Sequence, residues 1–289
     1  MAEGGVLFNL GDLTKPAVVL IEKVSDAIGV LFEPRQIRRI ATAKADAEKI
    51  KVLAKVETSA LEQRALKRFV QEEGNKQKNM EDITAQAISQ LEIGARPEAI
   101  EKDWIVNFYD KCRLISDQEM QVLWAKILSN EANNPGSYSK RTVNLLTILE
   151  KTDAELFREL CRFCWGLDDG GKIPVIFDYE NKIYSNKCIH FETLKHLEDI
   201  GLINFDDDPI GESSYTRNDI PKIIAMSYQG RKLKLIFSKQ KDNVLPHGKV
   251  MFTNIGDELS GICDSKAIHG FFEYCAEKWS EQGLGVEKL

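Results

Sequence analysis

Between residues 35 and 93 the chain has no proline, tryptophan, tyrosine or cysteine, and its one glycine there is Gly74. So long a stretch without breakers excludes a loop-rich or β-rich segment, and its Ala, Lys, Glu, Gln and Arg read as one long helix or two end to end. No apolar run reaches the about 20 residues that a membrane-spanning helix requires. The six cysteines, Cys112, Cys161, Cys164, Cys188, Cys263 and Cys275, lack dense spacing, and no secretory leader precedes them. A cytoplasmic protein with reduced thiols is therefore expected. Missing too are G-x-x-x-x-G-K-[ST], G-x-G-x-x-G, H-E-x-x-H and G-x-S-x-G, and the four histidines, His190, His196, His247 and His269, show no spacing that pairs them with a nucleophile. The expectation is a non-enzymatic protein with no catalytic residue, cofactor or metal assigned. A net charge of −6 argues against nonspecific coating of nucleic acid.

What is present suits a protein built of more than one domain. With 289 residues and 43% hydrophobic side chains there is apolar surface for real cores. The expected fold is α+β, mainly α: an amphipathic helix (1–34), a long helical rod (35–95), a helical bundle (96–168) and a winged-helix-like α+β module (169–289). In the first segment Leu20, Ile21, Val24, Ala27, Ile28 and Leu31 share a helical face opposite Glu22, Lys23 and Asp26. Arg35, Arg38, Arg39 and Lys44 follow at once, an order that an anionic membrane surface would attract. The alternative is that this helix packs on its own molecule or in an oligomer interface.

Along the rod, Ile40, Ala43, Ala47, Ile50, Ala54, Thr58, Leu61, Ala65 and Phe69 recur at a mean step near 3.6 residues. At about 1.5 Å per residue the part before Gly74 alone would extend roughly 55–60 Å, more than a domain of this size covers. Lateral packing between copies is the preferred reading, with Leu20, Val24, Ile28, Leu31, Ile40, Ala47, Ile50, Ala54 and Leu61 as interface residues. Against it stands a fold-back at Gly74 and Asn75.

Beyond Pro97, Ile100, Trp104, Ile105, Phe108 and Cys112 form a helical face. Capping boxes are expected from Ser116 with Glu119 and from Thr152 with Glu155, and Ser139 is expected to cap a helix between them. The helix after Thr152 is expected to run through Phe163. Strands are expected at 173–177, 182–185, 220–227, 232–237 and 249–252, with helices at 190–200, from about Thr253, and at 267–279, and a loose tail after Gln282. The helix, Gly201 stop and strand that follows suggest the winged-helix arrangement.

Candidate chemistry is sparse. Cys161-x-x-Cys164 with Cys188 and His190 offers four candidate zinc ligands, but a pair inside a helical pattern reads better as buried structural thiols. Asp168, Asp169, Glu180 and Lys182 suggest a magnesium nuclease centre, although residues 178–181 read as a turn between strands. Asp206, Asp207 and Asp208 before Pro209 read as a solvated turn. The helix at 190–200 mixes His190, Glu192, Lys195, His196, Glu198 and Asp199, a poor phosphate-binding face, and Lys222, Arg231, Lys232 and Lys234 are the nearby cations.

The run from Leu20 through Gly29, Glu33-Pro34, Trp104, Ser116-Asp117, Trp124 through Leu128, Glu131, Pro135-Gly136-Ser137 and Asp153-Ala154 resembles a bacterial family of unknown function that is itself similar to the abortive-infection alpha proteins. These motifs are helix-packing signatures, and the resemblance implies a bacterial protein acting in anti-phage defence. The expectation is thus a self-associating defence component, cytoplasmic or peripheral to the inner membrane, with a homo-oligomer or another protein as partner. A winged-helix nucleic-acid regulator is the alternative, and a metal-dependent nuclease the third.

Overall fold

A computed structural model describes residues 13–29, 31, 60–168, 170–207, 215–263 and 265–289. The fold is mixed α+β and mainly helical, and the chain divides into two units, Met1–Ile148 and Leu149–Leu289.

In the first unit, helix α1 (Lys15–Ile28) starts with Pro16 in its first turn and buries Ala17, Leu20, Ile21 and Val24. That face packs on the 3-10 turn Pro97–Ala99 and on α3 (Lys102–Cys112). Lys23 Nζ donates to the Glu98 carbonyl at 2.7 Å, fixing the polar side of the same contact.

Helix α2 (Ala60–Ile88) runs unbroken through Gly74, so the alternative, a fold-back at Gly74 and Asn75, does not occur. One glycine costs a helix about 1 kcal/mol. The surrounding strong helix formers and the pairs Arg68–Glu72 (3.6 Å), Glu73–Lys76 (2.7 Å) and Lys78–Asp82 offset that.

Only the last part of α2 enters the core, through Ile83, Thr84, Ala85, Ala87 and Ile88, which pack on α4 (Gln118–Asn133). Thr84 Oγ1 donates to the Met80 carbonyl at 2.7 Å, which leaves the Tyr109 hydroxyl to donate to Thr84 at 2.6 Å. Burial pushes the Tyr109 phenol well above its ordinary pKa. Phe108 stacks on Trp104 (5.1 Å between centroids) and meets Trp124 edge-on at 5.2 Å. Asp117, rather than Ser116, caps α4 by accepting from Met120 N at 3.0 Å. The buried Glu131 carboxylate accepts from Gly136 N (2.7 Å) and Tyr138 N (3.0 Å), holding the loop that leads to α5 (Lys140–Leu145), whose cap is Ser139 as expected.

The second unit opens with α6 (Lys151–Cys161), which the capping box of Glu150 and Asp153 initiates in place of Thr152 and Glu155. The helix stops at Cys161, and Cys164 already belongs to strand β1 (Cys164–Leu167). The expected helix through Phe163 was an overextension of an apolar pattern that continues into a strand.

With β2 (Lys172–Pro174), β5 (Ile223–Tyr228), β6 (Arg231–Ile236) and β9 (Gly285–Lys288), β1 forms an antiparallel sheet in the order β2-β1-β5-β6-β9. The tail expected to be loose is therefore its edge strand, in register with β6 from Leu233–Lys288 to Ile236–Gly285. The expected strand at 182–185 is a one-turn helix, α7 (Lys182–Ser185), capped by Asn181.

Helix α8 (Phe191–Asp199) ends before Gly201, whose φ of +82° turns the chain into β3 (Ile203–Phe205). β3 pairs with β8 (Val250–Phe252), and β4 (Tyr215–Ile220) with β7 (Asn243–Gly248). The helix, glycine and strand order expected from the sequence is present, while β5 and β6 belong to the larger sheet. Helices α9 (Asn254–Ser260) and α10 (Phe271–Glu281) complete the unit. Trp165 is its hub, with Trp279, Phe272 and Tyr228 at 5.0, 5.3 and 5.4 Å.

Candidate functional sites: an exposed helix face and a thiol-lined cleft

Residues 60–75 of α2 are all exposed. Their apolar members, Leu61 (67% exposed), Leu66 (46%), Phe69 (59%) and Val70 (41%), are too large to be left in water without consequence. At about 100° per residue these four, with Ala65, fall within half of the helix circumference. On the same wheel Glu62 and Glu73 fall within this arc and Arg68 and Glu72 at its border, whereas Arg64 and Lys67 lie on the other side of the helix.

The residues expected at an oligomer interface are distributed differently. Leu20, Val24 and Leu31 are buried within their own fold, the alternative that the sequence left open for the first helix, and the α1 face packs on α3 and the turn before it. The Leu31 carbonyl is further fixed by Gln77 Nε2 at 3.1 Å. Ile28 is half-buried and Leu61 exposed. Ile40, Ala47, Ile50 and Ala54 lie outside the described residues, as do the cations Arg35, Arg38, Arg39 and Lys44. Leu66 and Val70 escaped the sequence reading because they flank the stripe through Leu61, Ala65 and Phe69 instead of continuing it. A wider apolar arc, scored over two neighbouring rows, would have included them. Among the described residues no helix is long and apolar enough to cross a membrane.

The second unit holds a cavity of about 470 Å³ lined by Cys161, Cys164, Cys263, Lys172, Ser227 and Ser265, with Gln229, Ser260 and Lys266 also contributing. Helix α6 ends at Cys161, β1 begins at Cys164, and Cys263 follows α9, so three separate element ends bring the thiols together. Cys161 is buried, and burial raises its pKa well above that of a free thiol. Cys263 Sγ donates to the Leu259 carbonyl at 3.5 Å. On the rim, Lys172 Nζ donates to the Ser260 carbonyl (3.3 Å) and Gln229 Nε2 to Ser265 Oγ (3.0 Å).

Cys188 and His190 do not join this lining. Cys188 is exposed with φ of +60°, and His190 Nδ1 accepts from Thr193 N at 3.4 Å to cap α8. Among the described residues no group of three or more His, Cys, Asp or Glu side chains has the arrangement to hold a metal ion.

The remaining sequence candidates are tied into structure. Asp168 accepts from Ala225 N at 2.9 Å, where β1 meets β5, whereas Glu180 and Lys182 sit in the turn into α7, in which Glu180 N donates to Asp178 Oδ1 at 3.0 Å. Asp169 and Asp208 lie outside the described residues. Asp206 pairs with Lys249 at 3.8 Å and Asp207 with Lys195 at 3.2 Å. Lys195 also pairs with Glu198 (2.8 Å), and these two carboxylates raise its pKa. Arg231 lies 3.8 Å over the Phe272 ring and 2.7 Å from Glu273, which lowers the Glu273 pKa. A pair that spacing did not reveal is His196 Nε2 with Asp153 Oδ1 at 2.7 Å, joining α8 to the first turn of α6. The other Asp153 oxygen accepts from Glu150 N at 2.9 Å, so this carboxylate serves the helix start and the helix packing at once.

No curated protein and no solved structure matches the chain. The family model described as Protein of unknown function (DUF2806) matches residues 63–276, from the exposed part of α2 into α10. The chain belongs to that family.

Proposed function

We propose that the protein is a non-enzymatic, self-associating component in which the exposed α2 faces of two copies pair. The single observation that carries this reading is the apolar arc of Leu61, Leu66, Phe69 and Val70, exposed on a helix whose other half is packed.

Full burial of such side chains is worth about 1.5–3 kcal/mol each, and about half of their area is still exposed, so eight of them from two copies contribute roughly 6–12 kcal/mol. That is comparable to the about 4–15 kcal/mol association cost, and a concentration-dependent dimer is the outcome. The resemblance of the Leu20 to Gly29 run and the Trp124 to Leu128 run to relatives of the abortive-infection alpha proteins supports a defence role in bacteria.

The test is the molar mass by light scattering of the full chain and of the double variant Leu66→Glu, Phe69→Glu. Both positions are exposed, so helicity should stay unchanged while the mass falls to that of one chain. A variant that keeps the mass of the parent removes this reading, as does a parent that is monomeric at high concentration.

A further inference from the structure

We propose that the thiol cleft of the second unit is an oxidation site in which Cys161 resolves a sulfenic acid formed at Cys164 or Cys263, closing a disulfide. Three of the six cysteines converge there from three element ends. The cavity of about 470 Å³ admits a small hydroperoxide, and Cys164 and Cys263 are the partly exposed thiols in its wall. Lys172 lines the same space.

Burial of Cys161 in that wall disfavours its thiolate, so it is not the first to react. It shares the cavity wall with both others, which suits it to the second step.

The chemistry balances with hydrogen peroxide or an organic hydroperoxide as oxidant. The sulfur of Cys164 or Cys263 attacks one peroxide oxygen, the O–O bond breaks, and the second oxygen leaves as water, or as an alcohol, with the thiol proton. Cys161 then attacks the sulfenic sulfur, the S–O bond breaks, and that oxygen departs as water with the Cys161 proton. Two thiols lose two electrons and the peroxide gains them. Reduction by an external dithiol restores the cleft by exchange.

The experiment treats the full chain, in a Cys188→Ser background that removes the exposed thiol outside the cleft, with equimolar hydrogen peroxide. Remaining thiols are blocked and peptides mapped without reduction. The expected product is an intrachain disulfide between Cys161 and either Cys164 or Cys263, reversed by dithiothreitol. In Cys161→Ala, a dimedone adduct at Cys164 or Cys263 should replace it. A Cys164–Cys263 disulfide in the parent overturns the proposal. So does oxidation confined to cysteines outside the cleft. If Cys161→Ala does not fold, mapping of the parent decides alone.

Discussion

At Gly248 the backbone adopts φ of +101°, and a Cβ placed there would fall inside the Ile176 carbonyl. The approach is fixed from both sides: Ile176 N donates to the His247 carbonyl at 3.0 Å, and Lys249 N donates to the Ile176 carbonyl at 2.7 Å. Gly248→Ala should therefore cost about 3 kcal/mol, combining the strain of a left-handed side chain with loss of that close pairing. Urea unfolding of the second unit measures it, and a cost under about 1 kcal/mol would mean that the strands separate there easily. The sequence reading missed β7, which ends at this glycine, because Pro246 has no N–H to give a ladder and the Pro246-His247-Gly248 run looks like a turn. The caps show the same limit. Ser139 was legible, while Asp117 displaced Ser116 and Glu150 displaced Thr152, since several cap-competent side chains adjoin each helix start and only packing chooses among them.

Among the elements, α2 is the one whose sequence pattern and structure agree most, and Gly74 is the place to measure it. Nothing lies within 4 Å of a Cβ added there. Gly74→Ala should stabilise the first unit by up to about 1 kcal/mol and raise helicity by circular dichroism, whereas a turn at this position would make alanine destabilising. Long helices with periodic apolar faces, such as α3, α4 and α8, were readable for the reason α2 was. Short elements were not. Cys164–Leu167 extends the apolar spacing of Phe157, Leu160 and Phe163, and the alternation that marks it as a strand, with Trp165 and Leu167 inward, spans only four residues. Lys182–Ser185 alternates like a strand, and the Asn181 side chain, which accepts from Ile183 N at 3.0 Å, makes it a helical turn instead. The exposed α2 face was half legible: Leu61 and Phe69 lay on the stripe, Leu66 and Val70 beside it. The cleft was legible only as Cys161-x-x-Cys164, because Cys263 arrives from a distant element that spacing cannot bring close.

At the scale of the whole molecule, the two units differ in how they meet acid. All four histidines fall in the second unit. His247 is buried, its Nδ1 donates to the Pro174 carbonyl at 3.1 Å, and burial lowers its pKa below the ordinary 6.5. The unfolded chain then binds the proton more readily than the folded one. Its contribution to stability is fully present above about 6.5 and is lost as pH falls from there towards the lower folded pKa. Unfolding followed from neutral to mildly acidic pH should show the second unit weakening first, and His247→Gln should flatten that dependence. Equal acid sensitivity in both units would count against this account. The division between the units supplies its own optical readout. Trp104 and Trp124 are buried in the first unit and Trp165 and Trp279 in the second, so native fluorescence is the sum of two separate indole pairs. Replacing one pair with phenylalanine would leave emission that reports the melting of the other unit alone.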